Sequence, residues 1–146
     1  MTNLIHSVAS AATPANGQGK HILYIDDEEA ILLLMQRPLE RQGYRVSTFT
    51  SPEKALAAAR ADPAQFDLAV TDYNMPGMSG LNVAIALRDI RADLPVVLAS
   101  GYITEELRAN APAAGIRELI YKHTVDELCE AVARIANAQS AKAIAS

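Results

Sequence analysis

Short apolar runs and longer apolar stripes take turns along most of this chain. Five runs, His21–Ile25, Arg45–Phe49, Leu68–Thr71, Val96–Ala99 and Glu118–Tyr121, are compact and bounded by polar or turn residues, as strands buried on both faces are. Between and after them, apolar residues recur at helical spacing over Glu29–Gln42, Pro52–Ala61, Gly80–Arg91, Thr104–Ala111 and Val125–Ala138. Regular alternation of strand and helix predicts an α/β fold, a parallel doubly wound sheet of five strands with five helices covering both faces.

Local punctuation fits these boundaries. Gly43 follows the first helix as a stop. Ser51 and Pro52 make an N-cap with proline at the first helical position. Thr124 and Glu127 have the spacing of a capping box, and Pro112 can end the fourth helix. Pro38 breaks the pattern, because it lies inside the first helix and should kink it. The lead-in, residues 1–19, is rich in small and polar residues without a period and reads as a flexible segment or linker. Residues 20–138 form the domain, and residues 139–146 a frayed helical tail.

The totals narrow the function. A chain of 146 residues suffices for one domain with a proper core, and its 50% hydrophobic and 21% charged composition is that of a globular protein. The net charge of −4 argues against direct nucleic-acid binding. Cys129 is the single cysteine, so no internal disulfide or zinc cluster forms, and a reducing, cytoplasmic setting is expected. No apolar stretch approaches the roughly 18 residues that insertion in a membrane requires. The start lacks the basic and apolar blocks of a secretory signal.

Chemistry gathers where the runs end. The first strand ends in Asp26-Asp27, the third in Asp72, the fourth in Ser100-Gly101 and the fifth in Lys122. The carboxyl ends of parallel strands share one crevice, so these groups are expected to meet. Acids so placed raise one another's pKa and resist joint ionisation unless a cation lies among them. Mg²⁺, which prefers oxygen ligands, would relieve that repulsion at Asp27 and Asp72 with a nearby backbone carbonyl. A carboxylate surrounded by metal, amine and hydroxyl is equipped to receive a phosphoryl group, because charge neutralisation and positioning dominate that chemistry. Other features have plainer readings. Cys129 falls on the apolar stripe of Val125, Leu128, Val132 and Ile135, and His123 reads as a loop histidine. Glu105, Glu106 and Arg108 form a solvated face, while Ile31–Met35 is apolar around more than one face, which means two-sided burial or a docking patch.

From His21 to Ala138 the chain resembles the receiver domain of two-component signalling, the chemotaxis-type fold also found in hybrid histidine kinases. The segments that carry the likeness are Ile-Leu-Tyr-Ile-Asp26-Asp27-Glu28, Leu-Ala-Val-Thr-Asp72-Tyr-Asn-Met-Pro76-Gly-Met-Ser-Gly80, Pro95-Val-Val-Leu-Ala-Ser100-Gly101 and Tyr121-Lys122. The resemblance implies a flavodoxin-like sheet in strand order 2-1-3-4-5. It implies that Asp72 is the phospho-acceptor. Asp27 would be a Mg²⁺ ligand, Asp26 would hold a metal-bound water, and the Asn74 carbonyl would complete the protein's ligands. Ser100 and Lys122 would engage the phosphoryl oxygens, with Pro76 and Gly80 shaping the loop between.

The donor it implies is a histidine kinase or histidine phosphotransfer protein, and the reaction is self-phosphorylation and autodephosphorylation, without turnover of a free metabolite. The chain is then a single-domain regulator or a receiver from a longer protein. Two positions depart from the pattern. His123 stands where proline usually follows the lysine, often through a cis bond; a non-proline cis bond costs about 3 kcal/mol, so a trans bond and an altered loop are expected. Leu119 replaces the aromatic switch residue, and Tyr102 is the residue available to take its part. The alternative from another class is a Mg²⁺-dependent aspartyl-nucleophile phosphatase of haloacid-dehalogenase type, but Asn74 stands where its second aspartate would be.

Overall fold

The structure, a computed structural model, describes residues 17–122 and 124–145, with side chains through Ala138. Its elements are β1 (His21–Ile25), α1 (Glu29–Arg41), β2 (Arg45–Phe49), α2 (Pro52–Ala61), β3 (Leu68–Asp72), α3 (Gly80–Ile90), β4 (Val96–Ser100), α4 (Glu105–Asn110), a 3-10 turn (Pro112–Ala114), β5 (Ile116–Tyr121) and α5 (Val125–Ala145). The strands form one parallel sheet in the order β2-β1-β3-β4-β5, the topology expected from the sequence.

Strand periodicity divides the core into two layers. Leu23 and Ile25 of β1, Ala69 of β3 and Val96 and Leu98 of β4 pack with α2, α3 and α4 on one face. Ile22, Tyr24, Leu68, Val70, Val97 and Ala99, displaced by one residue, pack with α1 and α5 on the other. A central strand covered on both sides has no polar face to show, and every residue of β3 and β4 is buried.

Caps fix where helices begin. Ser51 Oγ accepts from Lys54 N–H at 3.3 Å, Ser79 Oγ from Asn82 N–H at 3.3 Å, and Thr104 Oγ1 from Leu107 N–H at 3.0 Å. Gly43, at φ 97°, follows the end of α1 as its left-handed stop. α1 carries Pro38 within it and continues to Arg41. At the last helix Glu127 Oε1 accepts from Tyr121 N–H at 2.7 Å, tying α5 back to the end of β5. The helix then continues to Ala145, beyond the Ala138 boundary, because its alanine-rich end has high helix propensity and no breaker. β5 begins two residues earlier than its apolar pattern, at Ile116, and a register shift against β4 follows that first pair.

The lead-in also ends earlier than expected. Gly17 N–H donates to Gln42 O at 2.7 Å and Gly19 N–H to Gly43 O at 2.8 Å, so residues 17–19 form a strap across the α1–β2 turn. Gly17 is buried there, and a Cβ on it would lie 2.6 Å from the backbone of Gly43 and Tyr44. These bonds use backbone groups alone, which is why the side-chain pattern gave no sign of them. Residues 1–16, His123 and Ser146 lie outside the described residues, and with them most of the linker reading and the reading of the loop after Lys122.

At the amino edge of the sheet, His21 fastens three segments. Its N–H donates to Asp67 Oδ2 at 2.7 Å, its Nδ1 meets Gln65 O at 3.2 Å and its Nε2 meets Ser47 Oγ at 2.7 Å. A carbonyl can only accept, so Nδ1 carries the proton and Nε2 accepts from Ser47 in the neutral ring. Burial, with Arg45 nearby, lowers the His21 pKa. The folded protein therefore binds this proton less readily than the unfolded chain. The contribution is present above the ordinary histidine range and is lost as pH falls through it. Urea titrations at pH 7.5 and 5.5 should show a smaller decline for His21→Asn than for the wild type.

One glycine controls the loop leading out of β3. At Gly80 an added Cβ would overlap the carbonyl oxygen of Asp72 and sit 3.0 Å from the Tyr73 Cα. Gly80→Ala should cost about 1–3 kcal/mol, as overpacking does, and Ser79→Ala about 1 kcal/mol through its cap; denaturant unfolding measures both.

Candidate functional site

Sheet register assembles the site. Ile25 of β1 pairs with Thr71 of β3, so the residues one step on, Asp26 and Asp72, emerge side by side. Asp72 is level with Ala99 of β4, and Ser100 with Tyr121 of β5, which puts Lys122 just past the same edge. Parallel strands thus deliver groups from distant parts of the sequence to one end of the sheet. The loops after these strands complete the enclosure.

Lys122 is the centre of the cluster. Its Nζ donates to Glu28 Oε1 at 2.7 Å and Asp72 Oδ2 at 3.0 Å, and lies 3.3 Å from Asp26 Oδ2. The Asp26 and Asp72 side chains are each 2% exposed, that of Lys122 10% and that of Glu28 55%. Asp27 stands exposed at the rim, with carboxylate oxygens of Asp26, Asp27 and Asp72 all within 4.8 Å of one another. Three acids thus contact the Lys122 ammonium, and a fourth, Asp27, stands beside two of them.

The titration behaviour follows from that crowding. Burial pushes Asp26 up to about 6; Asp72 adds to the rise, while the Glu28 N–H at 2.9 Å and Lys122 oppose it. Asp72 is also raised by burial and by Asp27, against the pull of Lys122 and a hydrogen bond from the Asn74 N–H. Burial works against the charge on Lys122, but its bonds to Glu28 and Asp72 outweigh that and hold its pKa above the ordinary lysine range. The ammonium remains charged while the two buried acids are poorly neutralised. The donor set fits a small hard cation. Three carboxylates with oxygens within 4.8 Å of one another are the oxygen donors such an ion prefers.

The structure brings together Asp26, Asp27, Asp72 and Lys122, as their positions in the sequence suggested. Ser100 is at the same edge and buried, but its hydroxyl donates to the Tyr102 carbonyl at 2.7 Å and accepts from the Tyr102 N–H at 3.3 Å. Asn74 is exposed in the β3–α3 loop and touches Asp72 through its N–H. Tyr102 is 76% exposed, while Leu119 is half-buried against the α2–α4 side of the core. A cavity between Tyr73, Asn74, Ser100, Tyr102 and Glu106 opens beside the end of β3.

Glu28 was missed by sequence reasoning. It follows the acid pair, but its partner is 94 residues away, and the end of a strand does not reveal which way the next loop turns. Cys129 packs partly buried against the α1–α5 layer, where burial raises its thiol pKa. The two-sided burial considered for Ile31–Met35 is not what forms. Ile31, Leu32 and Met35 are buried, while Leu33 and Leu34 remain 63% and 52% exposed. Among the described residues no helix is long and apolar enough to cross a membrane.

Comparison with known proteins agrees with this architecture. A family model described as the response regulator receiver domain matches residues 22–133. The C4-dicarboxylate transport transcriptional regulatory protein DctD of Rhizobium meliloti is 32% identical over 114 residues, covering 77% of this chain and 24% of that protein. The chain spans about a quarter or less of the first curated relatives it matches. A response regulator receiver domain protein from Clostridium thermocellum superposes with a TM-score of 0.77 at 27% identity, over 83% of this chain and 97% of the other. A response regulator from Burkholderia pseudomallei, solved with a phosphorylated aspartic acid, calcium ion and citrate, has a TM-score of 0.71 at 26% identity, over 87% of this chain and 75% of the other.

Removing the single ammonium from among these acids exposes their repulsion. In metal-free buffer, Lys122→Met should lower stability by about 3 kcal/mol, the scale for breaking a buried ion pair. The loss should be smaller in an Asp72→Asn background, because the two residues share one interaction. A urea double-mutant cycle measures the difference; strict additivity would contradict the coupling.

Proposed function

The chain belongs to the response regulator receiver domain family, and on that premise we propose that it accepts a phosphoryl group on Asp72. One observation carries the assignment: Asp72 is a buried carboxylate at a strand end, held 3.0 Å from the Lys122 ammonium beside two further aspartates. The solved Burkholderia relative with a phosphorylated aspartic acid supports the same chemistry.

In the proposed reaction an Asp72 carboxylate oxygen attacks the phosphorus of a phosphohistidine. A P–O bond forms and the P–N bond breaks, leaving its electron pair on the imidazole nitrogen, which takes a proton. Hydrolysis reverses the state: water attacks the phosphorus, inorganic phosphate leaves, and the carboxylate is regenerated. Lys122 pairs with the phosphoryl oxygens as negative charge concentrates there. Ser100 exchanges the Tyr102 carbonyl for a phosphoryl oxygen, which frees the loop that carries Tyr102. That exchange is the route by which Tyr102 would replace the aromatic residue absent at Leu119. Asp26, Asp27, Asp72 and the Asn74 carbonyl would hold Mg²⁺, which supplies charge neutralisation for the transferred group when bound.

The donor in this reading is a histidine kinase or histidine phosphotransfer protein, met in the cytoplasm. The exposed Leu33 and Leu34 on α1, which begins three residues after Asp26, give apolar surface next to the site for its helices. The acyl phosphate shifts an existing two-state equilibrium and with it the surface offered to a partner. Self-phosphorylation and autodephosphorylation are the only reactions proposed.

Acetyl phosphate with Mg²⁺ should label wild-type protein by one phosphoryl group, and Asp72→Ala should abolish the label in intact-mass measurements. Beryllofluoride with Mg²⁺ should bind the wild type and not the variant. Labelling that persists in Asp72→Ala would place the acceptor elsewhere.

A further inference from the structure

We propose that Glu28 is a positioning residue that restrains phosphorylation by competing with Asp72 for Lys122. The inference rests on the reading of Asp72 as the acceptor and adds a control on that site. A lysine ammonium has three protons to donate. Here three carboxylates surround it, with Glu28 at 2.7 Å, Asp72 at 3.0 Å and Asp26 at 3.3 Å. Every donor position therefore has an acid in reach before any phosphoryl oxygen arrives, and the shortest contact is not to the acceptor.

The three acids differ in what holds them. Asp26 and Asp72 are buried at strand ends, whereas Glu28 sits between β1 and α1 with its side chain 55% exposed. Glu28 can turn to solvent at little desolvation cost, and the two aspartates cannot. A dianionic phosphoryl group entering beside Asp72 meets the Glu28 carboxylate as a like charge, and Glu28 also occupies a donor of the ammonium that the phosphoryl oxygens need. Both effects oppose labelling. Both are released when Glu28 lets go.

The contact spans 94 residues of sequence and links the segment after β1 to the segment after β5. Lys122 is thereby shared between the exposed Glu28 and the buried Asp72. Glu29, the next residue, carries the same charge, is exposed in the first turn of α1, and serves as the control for a general field effect.

The test compares Glu28→Gln, Glu29→Gln and wild type in two measurements. In metal-free urea titrations, a double-mutant cycle of Glu28→Gln with Lys122→Met should show coupling, while Glu29→Gln with Lys122→Met should be additive. With acetyl phosphate and Mg²⁺, Glu28→Gln should label about two- to fivefold faster than wild type, the size of a partly exposed ion pair, and Glu29→Gln at close to the wild-type rate. Additivity in the Glu28 cycle, an unchanged or slower Glu28→Gln rate, or an equal acceleration by Glu29→Gln would each overturn the proposal. If Asp72 were not the acceptor, labelling would survive Asp72→Ala, an outcome separate from any ratio between the Glu28 and Glu29 variants.

Discussion

Negative charge gathered around one ammonium, out of reach of most water, is the constraint on which the site depends. Asp26 and Asp72 are buried because the strands that end in them are central and covered on both faces. Burial raises both pKa values, and neighbouring acids raise them further, so the pocket has an unmet need for positive charge. Lys122 meets part of it. The rest is what makes this edge of the sheet receptive to a cation and to a group whose charge that cation can share. The same crowding makes the pocket a poor source of stability, since buried acids lacking full compensation work against folding.

Much of this was legible in the sequence because strand ends are legible. Apolar runs that stop at Asp26, Asp72, Ser100 and Lys122 fix the address of each group once the sheet is parallel, and the observed strand order leaves those addresses together. β1 and β2 run from and to the residues their patterns indicated, and α2 likewise. β3 and β4 extend one residue further than their apolar runs, taking in Asp72 and Ser100, because a strand ladder needs backbone partners and tolerates a polar last side chain.

What was not legible depends on groups that side-chain periodicity does not encode. Glu28 turns toward Lys122 through a loop, Ser100 bonds to backbone two residues away, and Glu127 accepts from the Tyr121 N–H. Each has several partners of similar chemistry within reach, and the choice is settled only when the chain is packed. The exposure of Leu33 and Leu34 has a related cause. The five consecutive apolar residues Ile31–Met35 exceed what a single buried stripe can hold, so two of them face outward.

The strap formed by residues 17–19 has a geometric consequence. It crosses the turn before β2, level with the start of β1, whereas the acidic pocket lies at the opposite ends of the same strands. A strand of five residues is roughly 16 Å long, so the sheet itself stands between the two. The chain therefore enters the domain through the strap at the end of the sheet opposite the acidic pocket. The same separation makes the strap a natural place to tether this protein to a surface while its pocket stays open to solution.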